Sequence, residues 1–324
     1  MLVLSRAEIE AALDLDQLID ALAAAHADLS AGRVSMPPRI AAEVAELDAA
    51  LLAMPAYLPS AGALTTKLVT LFPRNDGAVP THQAVIVVFD SQTGTPQALL
   101  DGTAITALRT AAASALSVRL LARPDADVLA LLGTGVQARS HARAISRVRQ
   151  LACIRVASRE RTRAEALATE LAADLGLPVE AVASYEDAVR GADVVAATTH
   201  SSEPVVRREW LDPGTHVTSV GFNTHGREIA PEVVRDSLVV VESREAALAP
   251  FPAGSNDLLW AIRDGVVPPS HVHAELGELV DGTRPGRTDA GQLTLYKSVG
   301  VAIQDAAAAA LAIRLARGGQ TVGL

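Results

Sequence analysis

The sequence predicts an α/β protein in which a doubly wound parallel-sheet domain is joined to an α+β domain, and three observations carry the prediction. First, Val128-Leu129-Ala130-Leu131-Leu132 is an unbroken apolar run, the pattern of a strand buried on both faces. Second, short apolar runs at 154–157, 179–182, 193–198, 216–220 and 238–241 alternate with helix-length stretches at 137–148, 162–175 and 185–190. Such alternation builds a parallel sheet, because each helix returns the chain to the same end of it. Third, the region before Pro124 lacks that rhythm. Strand-like runs at 39–44, 50–54, 64–71, 85–89 and 96–100 follow one another, the last two joined as a hairpin through Asp90-Ser91-Gln92-Thr93-Gly94.

Local signals supply the other elements. Ser5-Arg6-Ala7-Glu8 has the form of a capping box, and apolar residues recur at helical spacing from Ile9 to Leu29. Residues 103–122 read as a helix that Arg123-Pro124-Asp125 stops, and from about Gln292 the tail reads as one long helix with no strand. The parallel-sheet domain is therefore expected over residues 123–291, and the α+β domain over 1–122 with 292–324.

Composition bounds the function. With 324 residues, 49% of them hydrophobic and 20% charged, the chain can bury a full core, built mainly from Ala, Val and Leu because aromatics are only 3%. A net charge of −9 argues against nucleic acid as a partner, since a phosphate backbone needs a basic surface. The single cysteine, Cys153, allows no internal disulfide. The N-terminal apolar stretch is too short for a signal peptide, and no run reaches the roughly 18 uninterrupted apolar residues of a membrane span. A cytoplasmic protein without membrane or metal partners is expected.

The most informative motif is Gly133-Thr134-Gly135-Val136-Gln137-Ala138, which fits G-x-G-x-x-[GA] between a strand and a helix. Gly133 permits the tight turn, Gly135 lets backbone approach a pyrophosphate, and Ala138 lets the helix pack against the strand. The helix N-terminus then offers free N–H groups to the phosphates. An NAD site would carry an acid at the end of the next strand to hold the ribose 2′-hydroxyl. Here that position is Ser158, with Arg159 and Arg161 beside it. Arginine matches a 2′-phosphate in charge and geometry, which favours NADP(H) over NAD(H). A solvated surface run, with Glu160 pairing locally, is the plainer alternative.

Three cations in the other domain stand out: Arg39 after Pro37-Pro38, Lys67 within a strand-like run, and Arg109 in an alanine-rich helix. Each alone reads as an ordinary solvent-facing cation. Together they suit a carboxylate clamp that orients a substrate for hydride transfer, with Lys67 able to serve as acid or base on its nitrogen.

On these residues the chain resembles the ornithine cyclodeaminase/μ-crystallin family over nearly its whole length. Further support comes from Thr81-His82-Gln83-Ala84, from 101–112, from His273-Ala274-Glu275-Leu276-Gly277 and from Thr294-Leu295-Tyr296-Lys297-Ser298-Val299-Gly300. The resemblance implies a Rossmann-type domain and a homodimer formed through the α+β domain. It implies that Arg39, Lys67 and Arg109 hold a substrate carboxylate, with Arg109 also near the cofactor. Thr81 and His82 would approach the phosphates beside Gly133, Thr134 and Gly135. Val136, Gln137, Thr198 and Val220 would line the dinucleotide cleft, and Lys297, Ser298 and Val299 would close its nicotinamide end.

One departure separates branches of that family. Ornithine cyclodeaminases look to an aspartate for the substrate's second amine, where this chain has Asn223, which carries no negative charge. The expectation is therefore an NAD(P)H-dependent reductase of a small α-imino acid, or an amino-acid dehydrogenase. An ornithine cyclodeaminase and a non-catalytic protein that binds NADPH and a small ligand are the alternatives.

Overall fold

The computed structural model describes residues 1–75, 79–223, 225–250 and 253–323. The chain forms two units, Met1–Arg109 with Gly300–Leu324, and Thr110–Val299. The helix Gly102–Leu121 begins in the first and ends in the second. It is long and apolar enough to cross a membrane, but 72% of its apolar window is buried within the fold.

The first unit is a seven-stranded mixed sheet made of β1 (Leu2–Leu4), β2 (Ile40–Val44), β3 (Ala49–Leu58), β4 (Ala63–Leu71), β5 (His82–Asp90), β6 (Pro96–Asp101) and β15 (Gln320–Thr321). Its order is β15-β1-β6-β5-β4-β3-β2, and every pairing but β1 with β6 is antiparallel. The helix Ala302–Leu315 packs on β3 and β4, and the helix Leu15–Ser30 packs on it in turn. Strand alternation decides which side chains meet them: Met54, Ala56, Thr65 and Lys67 are buried, whereas Leu51, Tyr57 and Leu68 are not.

The second unit is an eight-stranded parallel sheet of β7 (Val128–Leu132), β8 (Cys153–Ala157), β9 (Val179–Ala181), β10 (Val194–Ala197), β11 (His216–Ser219), β12 (Ser237–Val241), β13 (Val272–Glu275) and β14 (Leu293–Lys297). Its order is β13-β12-β14-β11-β10-β7-β8-β9. From β7 the chain winds outward to β9, then crosses back to β10, so the switch point lies between the carboxyl ends of β7 and β10. Leu129, Ala130, Leu131 and Leu132 are each fully buried, as the apolar run required.

Several expected elements change. Residues 292–299 do not belong to a terminal helix. Leu293–Lys297 is β14, buried throughout between β11 and β12, and the units divide at Val299/Gly300 and Arg109/Thr110. A fully buried strand and a buried helix share such an apolar run, and only the pairing with β11 and β12 separates them. The N-terminal helix is two, Arg6–Ala12 and Leu15–Ser30. The first keeps its capping box, in which the Ser5 N–H donates to Glu8 Oε2 at 2.7 Å. The second is capped by Asp14, whose Oδ1 accepts from Gln17 N at 3.0 Å. β3 runs through Pro55 to Leu58, beyond the expected end at 54. Its pairing with β2 stops at Ala53, so Pro55 needs no N–H on that side.

Candidate active site

The glycine turn sits where the topology places a ligand. Gly133 follows β7 with φ +109°, and a Cβ there would lie 2.9 Å from the Thr198 carbonyl. Its N–H donates to Ala157 O at 2.9 Å, and Thr198 Oγ1 donates to Leu132 O at 2.7 Å, joining the ends of β7, β8 and β10. Val220 adjoins them, its N–H donating to Ala197 O at 3.1 Å. Gly135 is the extended N-cap of the helix Val136–Val148, and a Cβ on it would meet nothing within 4 Å. No side chain caps that helix, Val136 is 59% exposed, and Gln137 Oε1 is buried without a partner. Uncapped amides facing open space are what a pyrophosphate requires, so the turn fits a dinucleotide. Arg139 steadies it by donating to Thr134 O at 2.7 Å while paired with Glu170 at 2.9 Å.

Behind the turn, His141 Nδ1 lies 2.7 Å from Gln137 O and Nε2 lies 2.9 Å from Ser114 Oγ. Burial pushes His141 down to about 4, so a neutral ring braces the first helical turn at physiological pH.

At the end of β8 the arginines differ. Arg161 pairs with Glu165 at 2.8 Å, and Glu160 pairs with Arg163 at 2.9 Å. Exposed Arg159 has no carboxylate partner among the described residues, and Ser158 Oγ donates to Glu160 O at 2.6 Å.

In the first unit two of the three expected cations, Lys67 and Arg109, converge on a carboxylate that was not among the expected site residues. Asp305, on the buried helix Ala302–Leu315, lies 2.7 Å from Lys67 Nζ through Oδ2 and 3.1 Å from Arg109 Nε through Oδ1. Lys67, Arg109 and Asp305 are 3%, 5% and 1% exposed. Arg109 also donates to Gln304 Oε1 at 2.8 Å. That fixes the Gln304 amide so that its nitrogen faces His26 Nε2 at 3.1 Å, which must then carry a lone pair. Half-buried Arg39 donates to Gly300 O at 2.5 Å. Gly300 has φ +72°, and a Cβ there would lie 2.9 Å from both terminal nitrogens of Arg109.

Two cations thus share one carboxylate, Arg39 adds a third positive charge that acts on Lys67, and the excess positive charge suits an anion. Burial pushes Lys67 down to about 8, opposed by the Asp305 carboxylate and reinforced by Arg109 and Arg39. The ammonium's other two protons meet no protein acceptor among the described residues. Thr81 precedes β5 and His82 opens it, with Thr81 Oγ1 and His82 Nδ1 3.0 Å apart, and His82 is exposed.

The remaining expected residues gather at the carboxyl ends of β11 and β14. Lys297 donates to Ser219 Oγ at 2.9 Å and to Gly221 O at 2.7 Å, and pairs with Asp257 at 2.8 Å. All three donors are spent, so Lys297 acts here by fixing loop backbone. Glu228, also unmarked by the sequence, accepts from Thr199 N, Ser219 Oγ and Gly221 N within 2.9 Å. Ser298 Oγ and Val299 N both donate to buried Glu242. Asn223 spends its amide on the loop as well, donating to His200 O at 3.0 Å and accepting from His225 N at 2.8 Å. It shares a narrow cleft with Phe222 and Val299. Lys67 and Lys297 are the only two lysines in the sequence, although Lys and Arg together number 28. Every other cation is arginine, and both lysines are buried at the sites described.

A glycine turn at the switch point of a doubly wound parallel sheet, leading into an uncapped helix, defines a Rossmann-type dinucleotide-binding protein. The ornithine cyclodeaminase/mu-crystallin family model matches residues 1–318, and the chain belongs to that family. The ketimine reductase mu-crystallin of Mus musculus is 39% identical over 299 residues, spanning 91% of this chain and 90% of that protein. Thermococcus litoralis Delta(1)-pyrroline-2-carboxylate reductase, solved with NADH and L-proline, has a TM-score of 0.95 at 37% identity, covering 99% of this chain and 100% of that one. An archaeal alanine dehydrogenase dimer with bound NAD has a TM-score of 0.92 at 30% identity, covering 100% and 99%.

Proposed function

We propose that this protein is an NAD(P)H-dependent reductase of a small α-imino acid, of the pyrroline- or piperideine-2-carboxylate type, able to run in reverse as an amino-acid dehydrogenase. The observation that carries the reading is the buried pair Lys67 and Arg109 on a single carboxylate, with half-buried Arg39 adding positive charge to the surroundings of Lys67. The named activities of the relatives support it. Arg39 and Arg109 would hold the substrate carboxylate. Lys67 would pass one of its uncommitted protons to the imine nitrogen, making the carbon electrophilic. Gly133, Gly135 and the amides of Val136 and Gln137 would hold the dinucleotide, which when bound would supply hydride chemistry. Asn223 offers no charge to a second amine, which disfavours cyclodeamination.

The test is a panel of pyrroline-2-carboxylate, piperideine-2-carboxylate, keto acid with ammonia, and ornithine, each assayed with NADH and NADPH. Reduction of the imino acids is expected. Proline and ammonia from ornithine with catalytic NAD would instead make it a cyclodeaminase, and tight NADPH binding without turnover a binding protein.

NADP(H) is the proposed preference, supported by the absence of an acid at Ser158 and by an Arg159 that no carboxylate engages among the described residues. Arg159→Gln is expected to raise KM for NADPH about tenfold, a typical charge-assisted contact, and to leave KM for NADH nearly unchanged. Equal effects on both would remove Arg159 from cofactor choice.

A homodimer through the open face of the seven-stranded sheet is proposed as well. Ile40, Ala53, Leu68 and Val85 form one cross-strand row on that face, and Ile40 and Val85 are 69% and 41% exposed. Wild type is expected to sediment at twice the chain mass of 33.6 kDa, and Val85→Glu as a monomer. A monomeric wild type would end this proposal.

A further inference from the structure

The proposed reaction needs Lys67 charged when the imine arrives, yet Lys67 stands among groups that oppose its charge. It is buried in the middle of β4, with Arg109 and Arg39 as the nearest other cations. Asp305 is the carboxylate paired with it, and the same carboxylate holds Arg109 through its other oxygen. Burial opposes ionisation of Asp305, but Lys67 and Arg109 outweigh it and hold its carboxyl below the usual range. Asp305 is therefore an anion at neutral pH. It is fixed between the two groups, and Gln304 and His26 brace Arg109 from the far side.

We propose that Asp305 is a positioning residue: it orients Lys67 and Arg109 toward the substrate and sets the pH above which Lys67 can no longer protonate it. This rests on the reductase reading for its chemistry, but its electrostatic content does not. The groups facing Lys67 are Asp305 from the buried helix, Arg109 from the helix Gly102–Leu121, and Arg39. Asp305 alone of these favours the ammonium. Removing its charge leaves two cations and a dry environment, all of which favour the neutral amine.

The chain's two lysines make the test direct. Lysine labelled with 13C at Cε gives two resonances, and Lys67→Met assigns one. In wild type the Lys67 resonance is expected to titrate near pH 8, and a midpoint at that of free lysine would overturn the proposal. In Asp305→Asn the midpoint is expected to fall by about 1–3 units, the usual effect of losing an adjacent opposite charge, and Asp305→Glu should restore most of it. The alkaline limb of kcat/KM with pyrroline-2-carboxylate should move in step. A loss of kcat with both midpoints unmoved would show Asp305 to be merely structural. If wild type turns over no imino acid, the reductase reading fails, while the titration still decides the charge relation.

Discussion

Lys67→Met is expected to lower kcat/KM for pyrroline-2-carboxylate reduction by on the order of 10²–10⁴, the span of a positioned general acid. Methionine keeps the length and apolar stem of lysine and removes only the ammonium, so β4 and the helix Ala302–Leu315 retain their packing. Asp305 keeps Arg109 as a partner, which limits the cost of the stranded carboxylate. The pH profile separates catalysis from damage. Wild-type kcat/KM requires the ammonium, so it should be level below about pH 8 and fall about tenfold per unit above it. Lys67→Met has no such group and should show no limb there. Turnover close to wild type, or a wild-type limb surviving in the variant, would remove Lys67 from the chemistry.

Gly135→Asp should abolish cofactor binding without loosening the fold, and the contrast with Gly133→Ala is the core of the test. Gly135 has an extended conformation open to other residues, and a Cβ added to it would meet nothing within 4 Å, so aspartate fits sterically. Asp is also a favoured N-cap, and Tm should hold or rise slightly. Its carboxylate would occupy and repel the space that a pyrophosphate needs, raising the Kd for NADPH by roughly 100-fold or about 2.7 kcal/mol. Gly133→Ala does the reverse. Its φ of +109° and the Thr198 carbonyl 2.9 Å from the new methyl strain the turn itself, so Tm should fall. If Gly135→Asp bound NADPH as wild type does, the glycine turn would not be the phosphate site.

Much of this molecule was legible in its residues. The run Val128 to Leu132 and its alternating successors were enough for the parallel sheet, and the spacing of Gly133, Gly135 and Ala138 was enough for the turn. These signals are local: strand burial, tight turns and helix starts are dictated by residues a few positions apart. Boundaries were less secure where a local signal was ambiguous. Leu293–Lys297 reads equally as strand or helix until its neighbours β11 and β12 are known, and Pro55 ends a strand only where a neighbouring strand needs the N–H that proline lacks.

The site divides along the same line. Lys67, Arg109 and Arg39 are legible as cations suited to a carboxylate clamp, but the carboxylate that Lys67 and Arg109 share is not. Asp305 lies 196 positions from Arg109, in an alanine-rich helix where nothing local distinguishes one acid beside Gln304. Lys297 was expected at the nicotinamide end, and only the fold shows its three donors committed to Ser219, Gly221 and Asp257. By itself the sequence determined the fold class, the dinucleotide turn and the family, because these follow from spacing along the chain. Tertiary structure alone decided which charges share a buried carboxylate, and hence the protonation of Lys67. Electrostatic energy depends on distance and burial in space, to which position along the chain is blind.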